Sequence, residues 1–364
     1  MKTAKRKFTL TYFVLSYGSQ TSGVYKKVAD QVKEWDKLRL DFQLFVITDQ
    51  SSFEDWTKIA QNVQVFVDKN GPLRFLSRSI IFWRAVKRTT DLVYVRETLP
   101  LLYLKMKKRP ALILEIQTIQ SQELRNRSKI KWLLYSIAEK YWIQNFSFNI
   151  FVSNEIREIL TSGVFRQESY VISNGIDVSN FKVLADVNIE KGPDYFFIGS
   201  LDQPWQGTEQ LFDLARQLPK SVFHIVGKGA PTTGCPSNVV LHGELTAENY
   251  FPIAESCSVA FSTLGQNITG MSEASPLKSR EYLAMGLPVI GRYLDTDLSR
   301  DFDFYLELPC DTRPLTDFIQ EIADFTARWH GRRVPRGEII NVIGSAQKEQ
   351  QRVKIFEQVI SQNP

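Results

Sequence analysis

The chain has 364 residues, of which 43% are hydrophobic and 23% are charged, as in an ordinary globular enzyme. This length is large for one hydrophobic core and predicts two domains. The three cysteines, Cys235, Cys257 and Cys310, are too few and too scattered for a disulfide framework or a zinc site, which favours the reducing cytoplasm. No stretch approaches the roughly 18 apolar residues of a transmembrane helix.

Charge is distributed unevenly along the chain. Through Lys182 there are 29 lysines and arginines against 17 acidic residues, a net charge of +12, whereas the remainder has 16 against 23, a net charge of −7. Some of the basic residues are interleaved with Phe75, Phe82 and Trp83. The excess is concentrated at Arg74, Arg78, Arg84, Lys87, Arg88, Lys105, Lys107, Lys108, Arg109, Arg125, Arg127, Lys129 and Lys131.

Three interpretations of this basic first half remain open. It is a solvated face, a surface that lies on the anionic inner face of the plasma membrane, or a nucleic-acid surface. No recognisable nucleic-acid module accompanies the charge, so nucleic acid is not the expected partner.

Short apolar runs alternate with helical patterns along the chain. The first series is 8–16, 42–48, 91–95, 111–116, 149–153 and 170–173, and the second is 195–199, 222–227, 239–243, 257–263, 287–291 and 304–308. Such runs are typical of buried parallel strands and predict two doubly wound α/β domains that bind ligand at strand ends and in the cleft between them. The first run follows a basic start, as in a signal peptide, but it is short and lacks a cleavage site, so a strand is the better interpretation.

These patterns predict four segments. Residues 1–182 form a first Rossmann-like domain, residues 183–193 a polar linker, residues 194–344 a second Rossmann-like domain, and residues 345–364 a charged amphipathic helix. No low-complexity tract or solenoid repeat interrupts them.

Residues 273–291, EASPLKSREYLAMGLPVIG, predict a short helix from Pro276 to Met285. Ser275 is suited to the N-cap, Pro276 to the first helical position and Gly286 to the left-handed residue that ends the helix. Pro288 cannot continue it.

The start of this helix is a candidate anion site. Lys278 and Arg280 lie in its first turns, where cations oppose the helix dipole, so we expect an anionic group to compensate them. The main-chain N–H groups of Leu277 and Lys278 are free to bind a phosphate or diphosphate. Glu281, further along, is placed to accept from the vicinal hydroxyls of a ribose.

The pair Glu273 and Glu281, with the Pro-Leu-Lys between them and the following Glu-Tyr-Leu-Ala-Met-Gly-Leu-Pro, resembles the Glu-x7-Glu motif of retaining GT-B glycosyltransferases of the family 4 (group 1) type. The resemblance implies the GT-B fold, with a C-terminal helix that packs back on the first domain. It also implies that Glu273 positions the donor sugar and that Glu281 binds the ribose.

Other segments extend the resemblance. The turn at Gly23 is similar to the family's first-domain glycine loop, and a plain strand-to-helix turn is the alternative. Asn174-Gly175 is similar to the family's Asn-Gly turn that ends the first domain, which we interpret as structural. Ser200 and Gln206 stand where the family usually has an arginine and a lysine that hold the donor diphosphate. Neutral groups bind a dianion more weakly, so other cations must compensate or turnover is impaired.

The resemblance gives a full set of expected site residues. Catalysis is assigned to Glu273, Lys278 and Gln117. Donor binding is assigned to Gly23, Ser200, Gln206, Gly227, Lys228, Gly243, Glu244, Leu245, Ser275, Pro276, Leu277, Lys278, Arg280 and Glu281. Gln117 can orient a sugar hydroxyl but cannot take its proton, and no histidine lies in the first half to serve as a base.

Asp295-Thr296-Asp297 has the spacing of a metal-binding Asp-x-Asp, but we interpret it as a loop feature because GT-B enzymes normally need no metal. No cofactor is expected. The sequence thus predicts a cytoplasmic, peripherally membrane-associated hexosyltransferase that uses a nucleotide diphosphate sugar, UDP-glucose by family frequency, and a glycan or lipid-linked saccharide acceptor in polysaccharide biosynthesis. A catalytically silent GT-B binding protein and a nucleotide-sugar epimerase are the alternatives.

Overall fold

The computed structural model describes residues 8–18, 20, 22–68, 74–88, 91–96, 110–119, 121–122, 129–163, 167–186, 189–229, 234–298 and 300–362. The basic residues Lys105, Lys107, Lys108, Arg109, Arg125 and Arg127 lie outside these ranges. The chain divides into two compact units. Unit 1 is Met1–Ser173 with Ser345–Pro364, and unit 2 is Asn174–Gly344.

Unit 1 contains a parallel seven-stranded sheet in the order β3-β2-β1-β4-β5-β6-β7. Its elements are β1 (Thr9–Leu15), α1 (Gly23–Lys37), β2 (Asp41–Thr48), α2 (Phe53–Thr57), β3 (Val63–Val67), α3 (Arg74–Arg88), β4 (Leu92–Arg96), β5 (Ala111–Ile116), α4 (Lys129–Asn145), β6 (Phe148–Phe151), α5 (Asn154–Thr161) and β7 (Glu168–Val171). The strand order reverses at β1, as in a doubly wound fold.

Unit 2 contains a parallel six-stranded sheet in the order β10-β9-β8-β11-β13-β15 and a two-stranded pair, β12-β14. Its elements are β8 (Tyr195–Ile198), α6 (Thr208–Gln217), β9 (Phe223–Val226), β10 (Val239–Leu241), α7 (Ala247–Glu255), β11 (Val259–Phe261), β12 (Glu273–Ala274), α8 (Leu277–Met285), β13 (Val289–Gly291), β14 (Leu294–Asp295), β15 (Tyr305–Glu307), α9 (Ile319–Trp329) and α10 (Arg336–Ile343). Short 3-10 turns occur at Val178–Asn180, Pro204–Gln206, Gln266–Thr269 and Leu315–Phe318.

The last helix, α11 (Ser345–Gln362), packs in unit 1, as the resemblance implies. The Phe356 ring lies 5.1 Å from Tyr94 and 6.0 Å from Trp35 of α1, measured between ring centroids. The indole N–H of Trp35 donates to Glu349 at 2.8 Å. The apolar and polar contacts together fix α11 against α1.

Beneath α11 lies a buried group of charges, which we call the Glu115 cluster. It consists of three cations, Lys27, Arg96 and Arg352, and two carboxylates, Glu115 and Glu349. Glu115 lies 2.9 Å from Lys27 Nζ, 3.3 Å from Arg96 Nη1 and 3.7 Å from Arg352 Nη1. Arg352 Nε donates to Glu349 at 3.0 Å. Although burial opposes ionisation, the three cations hold the pKa of Glu115 below its ordinary value.

The expected two parallel α/β sheets are confirmed, and each predicted apolar run contains a strand. Sequence patterning missed β3, a short edge strand of five residues, none of which is fully buried. It also missed the short β12 and β14. No helix of the described residues has both the length and the apolar composition to cross a membrane.

Candidate functional site

Helix α8 starts one residue later than its sequence predicts. Pro276 has an extended conformation and is the N-cap, and no side chain caps the helix. Ser275, expected at the N-cap, instead accepts a hydrogen bond from the main-chain N–H of Asn174 at 2.9 Å. The predicted end is confirmed, because Gly286 has a φ of 89°. The N–H groups at the start of α8 therefore receive no capping bond from the side chain of the N-cap residue.

Lys278 lies at this uncapped end. Its ammonium donates to the side-chain oxygen of Gln206 and lies 4.3 Å from the centroid of the Phe197 ring. Burial lowers the pKa of Lys278 to about 7. No carboxylate of the described residues pairs with this ammonium, so an anion that arrives from outside would be its first counter-charge.

Arg280 corrects an expectation. We expected it to need an external anion, but its guanidinium is fully buried and is paired within unit 2. It donates to both carboxylate oxygens of Asp295, with one of the two bonds at 2.7 Å, and to Asp297 at 2.9 Å. Its Nε donates to the carbonyl of Asn174 at 3.2 Å. Every nitrogen of Arg280 is thereby engaged, and the guanidinium has no free donor for a diphosphate.

The same contacts explain Asp295-x-Asp297. The pairing of β12 with β14 brings Asp295 beside Ala274, next to the start of α8. Both carboxylates then serve as the counter-ions of Arg280, a role that the sequence interpretation as a loop feature did not include.

Glycines allow three loops to meet at the carboxyl ends of β8, β9 and β10. Gly227 has a φ of 155°, and a Cβ atom there would lie 1.8 Å from the carbonyl oxygen of Gly199. The N–H of Gly227 donates to the carbonyl of Gly243 at 2.8 Å. Any side chain at position 227 would force apart the loops that follow β8 and β9. The expected residues Gly227 and Gly243 are thus brought together.

Gln206 connects these loops with α8. A Cβ atom at Gly199 would lie 2.7 Å from the side-chain oxygen of Gln206, the same oxygen that accepts from Lys278. Ser200 follows Gly199 directly. Lys228 forms a 3.2 Å ion pair with Glu244, and both side chains are well exposed, so Lys228 is less firmly placed than Lys278. Half-buried Leu245 follows Glu244.

The two glutamates of the motif are both buried, each with 4% of its surface exposed. Glu273 begins β12, and Glu281 lies in the second turn of α8. Glu281 accepts a hydrogen bond from the hydroxyl of Tyr250, on α7, at 3.2 Å. Burial, together with the charge of Glu281, raises the pKa of Tyr250. Sequence reasoning missed Tyr250 because nothing in its local pattern marks a partner 31 residues away.

Three buried hydroxyl groups form a triangle of hydrogen bonds at the start of α8. Ser279 Oγ lies 2.6 Å from both Ser262 Oγ and the hydroxyl of Tyr293, which in turn donates to Ser262 at 3.0 Å. These three residues were also missed. They tie α8 to the loops after β11 and β13, which keeps its first turn in one position.

Two expected site residues, Gly23 and Gln117, belong to unit 1. Gly23 is the first residue of α1, which Ser22 caps by accepting from Tyr25 N–H at 3.2 Å. The crowded glycine of this loop is Gly18, where a Cβ atom would lie 2.1 Å from Ser22 Oγ. Gln117 follows β5 and donates to Glu115 at 3.0 Å.

No family model matches the chain, and no curated protein matches it by sequence. Solved structures do match along the whole chain. Sucrose-phosphate synthase from Thermosynechococcus elongatus is 14% identical, with a TM-score of 0.71 over 98% of this chain and 100% of that one. HepE from Anabaena, in complex with UDP-glucose, is 15% identical, with a TM-score of 0.65 over 96% and 100%.

The lipopolysaccharide outer core galactosyltransferase WaaB, in its apo form, is also 15% identical, with a TM-score of 0.66 over 96% of this chain and 99% of that one. At such identities the likeness concerns architecture, and the architecture is shared by all three. The chain therefore has the GT-B fold, two Rossmann-like domains with parallel sheets.

Proposed function

We propose that the chain is a retaining glycosyltransferase. It moves a hexose from a nucleotide diphosphate sugar, UDP-glucose in the first instance, to a glycan or lipid-linked saccharide in polysaccharide assembly. The observation that carries the proposal is Lys278, a desolvated ammonium at a helix start whose N-cap side chain makes no capping bond, with no carboxylate partner in the described part of the chain. The HepE structure, which holds UDP-glucose on the same fold, supports the choice of donor.

In this proposal the leaving diphosphate is neutralised by Lys278 and by the N–H groups at the start of α8. Both act where water is largely excluded, so they stabilise developing negative charge more strongly than they would in solvent. Arg280 contributes indirectly, because its bonds to Asp295 hold the helix start against β14. Ser200 and Gln206 supply polar contacts, and Lys228 supplies a weaker, exposed charge.

The reaction needs no histidine base. The acceptor hydroxyl attacks the anomeric carbon from the face that the diphosphate leaves, the bond from that carbon to the phosphate oxygen breaks, and the released oxygen takes the acceptor's proton. Glu273 positions the donor sugar, Glu281 binds the ribose, and Gln117 orients an acceptor hydroxyl. No metal ion takes part in this scheme, so transfer is expected to continue in a chelator.

A ligand panel tests the proposal. UDP, GDP, ADP and their sugars are compared by thermal shift, since a ligand that binds the native state raises Tm. Glu281→Ala should weaken binding of the preferred nucleotide about ten- to a hundredfold, because a charge-assisted hydrogen bond contributes about 1.5–3 kcal/mol. The anomeric configuration of the product, read by NMR, tests retention. No shift with any nucleotide sugar would contradict the proposal.

A second function, a catalytically silent nucleotide-sugar binder, is favoured by one observation. Gln206 offers a neutral amide to the diphosphate region, and it already accepts from Lys278. A silent binder would show the Tm shift without release of UDP in the presence of any acceptor or of water. An epimerase would instead convert the donor alone, which chromatography of the recovered sugar would reveal.

A further inference from the structure

Helices α3 and α4 of unit 1 expose large apolar side chains in regular rows. On α4 the exposed residues recur at three- and four-residue steps, which places them along one side of the helix. They are Ile130, Leu133, Ile137 and Tyr141, with 75%, 53%, 63% and 51% of their surface accessible. On α3, Leu76 and Ile80 are 46% and 54% accessible. We call these six residues the outer apolar row.

The two helices cover the same face of the sheet. Phe13, Val95, Leu114 and Asn149 are paired in sequence across β1, β4, β5 and β6, so their side chains project to one face. On that face the ring of Phe82, from α3, meets Phe13 at 5.3 Å. The amide of Asn149 donates to the carbonyl of Ile143, in α4, at 3.0 Å. The outer apolar row therefore lies on one side of unit 1.

The inward sides of both helices are already occupied. Phe82 and Ile143 are 1% and 2% accessible. This corrects the sequence interpretation of the basic stretch, in which Phe82 was grouped with the cations as part of one surface. Phe82 is a core residue, and the exposed apolar residues are others. The outer apolar row is thus additional to the core.

The charges of helices α3 and α4 are almost all of one sign. The sequence of α3 contains no acidic residue, and that of α4 contains only Glu139. Glu139 is buried and accepts from Ser121 Oγ at 2.6 Å. Among the side chains of the two helices whose burial the structure describes, the exposed charges are cations, at Arg84, Lys87, Lys129 and Lys140.

We propose that this side of unit 1 docks on an anionic lipid bilayer. The outer apolar row enters the region between head groups and acyl chains, and the four exposed cations meet the negative head groups. Cations beside exposed aliphatic side chains match both properties of such a surface, whereas nucleic acid offers phosphates but no apolar layer for Ile130 and Ile137. The proposal is independent of the transfer chemistry proposed above.

Vesicle flotation of the full chain tests the proposal. At low salt the protein should float with vesicles of phosphatidylcholine and phosphatidylglycerol and should remain unbound with phosphatidylcholine alone. Leu133→Asp with Ile137→Asp should lower the partition coefficient at least about tenfold, because each change removes one buried aliphatic side chain from the lipid. Ile340→Asp is the matched control. Ile340 is an exposed helical isoleucine of unit 2, 41% accessible, and its substitution should leave flotation unchanged.

Lys129→Glu with Lys140→Glu should reduce binding to the anionic vesicles and flatten its dependence on salt. Circular dichroism establishes that each variant is folded, which is expected because every substituted side chain is exposed. Flotation of the double aspartate variant equal to that of the native chain would overturn the proposal. So would a concentration-dependent dimer, in light scattering, that the aspartates dissociate, since the row would then be an interface between two copies.

Discussion

The Glu115 cluster of unit 1 and the start of α8 in unit 2 both contain a buried lysine, and they treat its charge differently. Lys27 lies 2.9 Å from Glu115, within a group in which every cation has a carboxylate nearby. Among the residues that the structure describes, Lys278 contacts the amide oxygen of Gln206 and the face of Phe197 but no carboxylate. Burial lowers the pKa of both lysines to about 7.

Under the function proposed above, the difference separates charge that is compensated within the fold from charge that is available to a ligand. In the Glu115 cluster, removing Glu115 leaves the buried Lys27 and Arg96 without the carboxylate that pairs with them, which is costly. At α8, the ammonium is already uncompensated, so the folded protein carries that cost until an anion binds. Arg280 shows that the distinction holds within one helix, because two residues after Lys278 the guanidinium is fully paired with aspartates.

The largest expected effect is on stability, in the Glu115 cluster, where the buried charges are paired. Glu115→Leu should lower the free energy of unfolding by about 3–5 kcal/mol, because it leaves Lys27 and Arg96 buried without their carboxylate, while Arg352 keeps Glu349. Denaturant unfolding followed by circular dichroism measures it. As the control, Asp213→Asn breaks an exposed ion pair with Arg216 and should change stability by less than about 0.5 kcal/mol. Equal denaturant midpoints for Glu115→Leu and the control would contradict a stabilising role for the Glu115 cluster.

Lys278→Met should have the opposite effect, a loss of ligand affinity without a loss of stability. Nucleotide-sugar affinity should fall about ten- to a hundredfold, since a charge-assisted bond is lost, while stability should stay the same or rise. Calorimetry and thermal unfolding measure the two quantities. Lys220→Met provides the control, because Lys220 is exposed before the amino end of β9, away from the loops that hold Gln206. A strongly destabilised Lys278→Met protein would mean that the ammonium has an internal counter-charge, beyond its contacts with Gln206 and Phe197.

The pH dependence of binding sharpens the same point. With a pKa of about 7 in the free protein, Lys278 is charged below that pH and increasingly neutral above it. A bound diphosphate favours the charged form and raises this pKa. Affinity should therefore be full below pH 7 and should fall about tenfold per pH unit above it, until the pKa of the complex is reached. Calorimetry in buffers of different ionisation enthalpy should detect proton uptake at pH 8, and Lys278→Arg should abolish it.

The smallest expected effect is that of removing the hydrogen bond from Tyr250 to the carboxylate of Glu281. Tyr250→Phe removes the hydroxyl that donates to Glu281, which should lower stability by about 1 kcal/mol and change nucleotide affinity only a few-fold. Chemical unfolding and the ligand titration used for Glu281→Ala measure both. A loss of affinity as large as that of Glu281→Ala would show that the hydroxyl itself contacts the nucleotide.

Local patterns in the sequence were sufficient to predict most strands, the two doubly wound sheets and the end of α8 at Gly286, whereas the GT-B fold was predicted from the resemblance of the Glu-x7-Glu motif. They succeed because hydrophobic periodicity and left-handed glycines act over a few residues. They could not predict the partners of Arg280, since Asp295 reaches it only through the pairing of β12 with β14. They likewise gave no sign that Phe82 faces the core and Ile137 the solvent, because both lie in uniformly apolar and basic stretches.

Asn149 has a consequence for the orientation of α4. It is an amide beside the apolar Phe13, Val95 and Leu114 of the same cross-strand row, and it donates to the carbonyl of Ile143 in α4. An apolar contact tolerates sliding, whereas a hydrogen bond is satisfied at one setting. The hydrogen bond from Asn149 therefore fixes the rotation of α4 about its own axis and its position along the sheet. Asn149→Leu would keep the volume of the side chain but remove this hydrogen bond, so α4 could rotate on the sheet. Ile130, at the opposite end of α4 from Ile143, would move furthest.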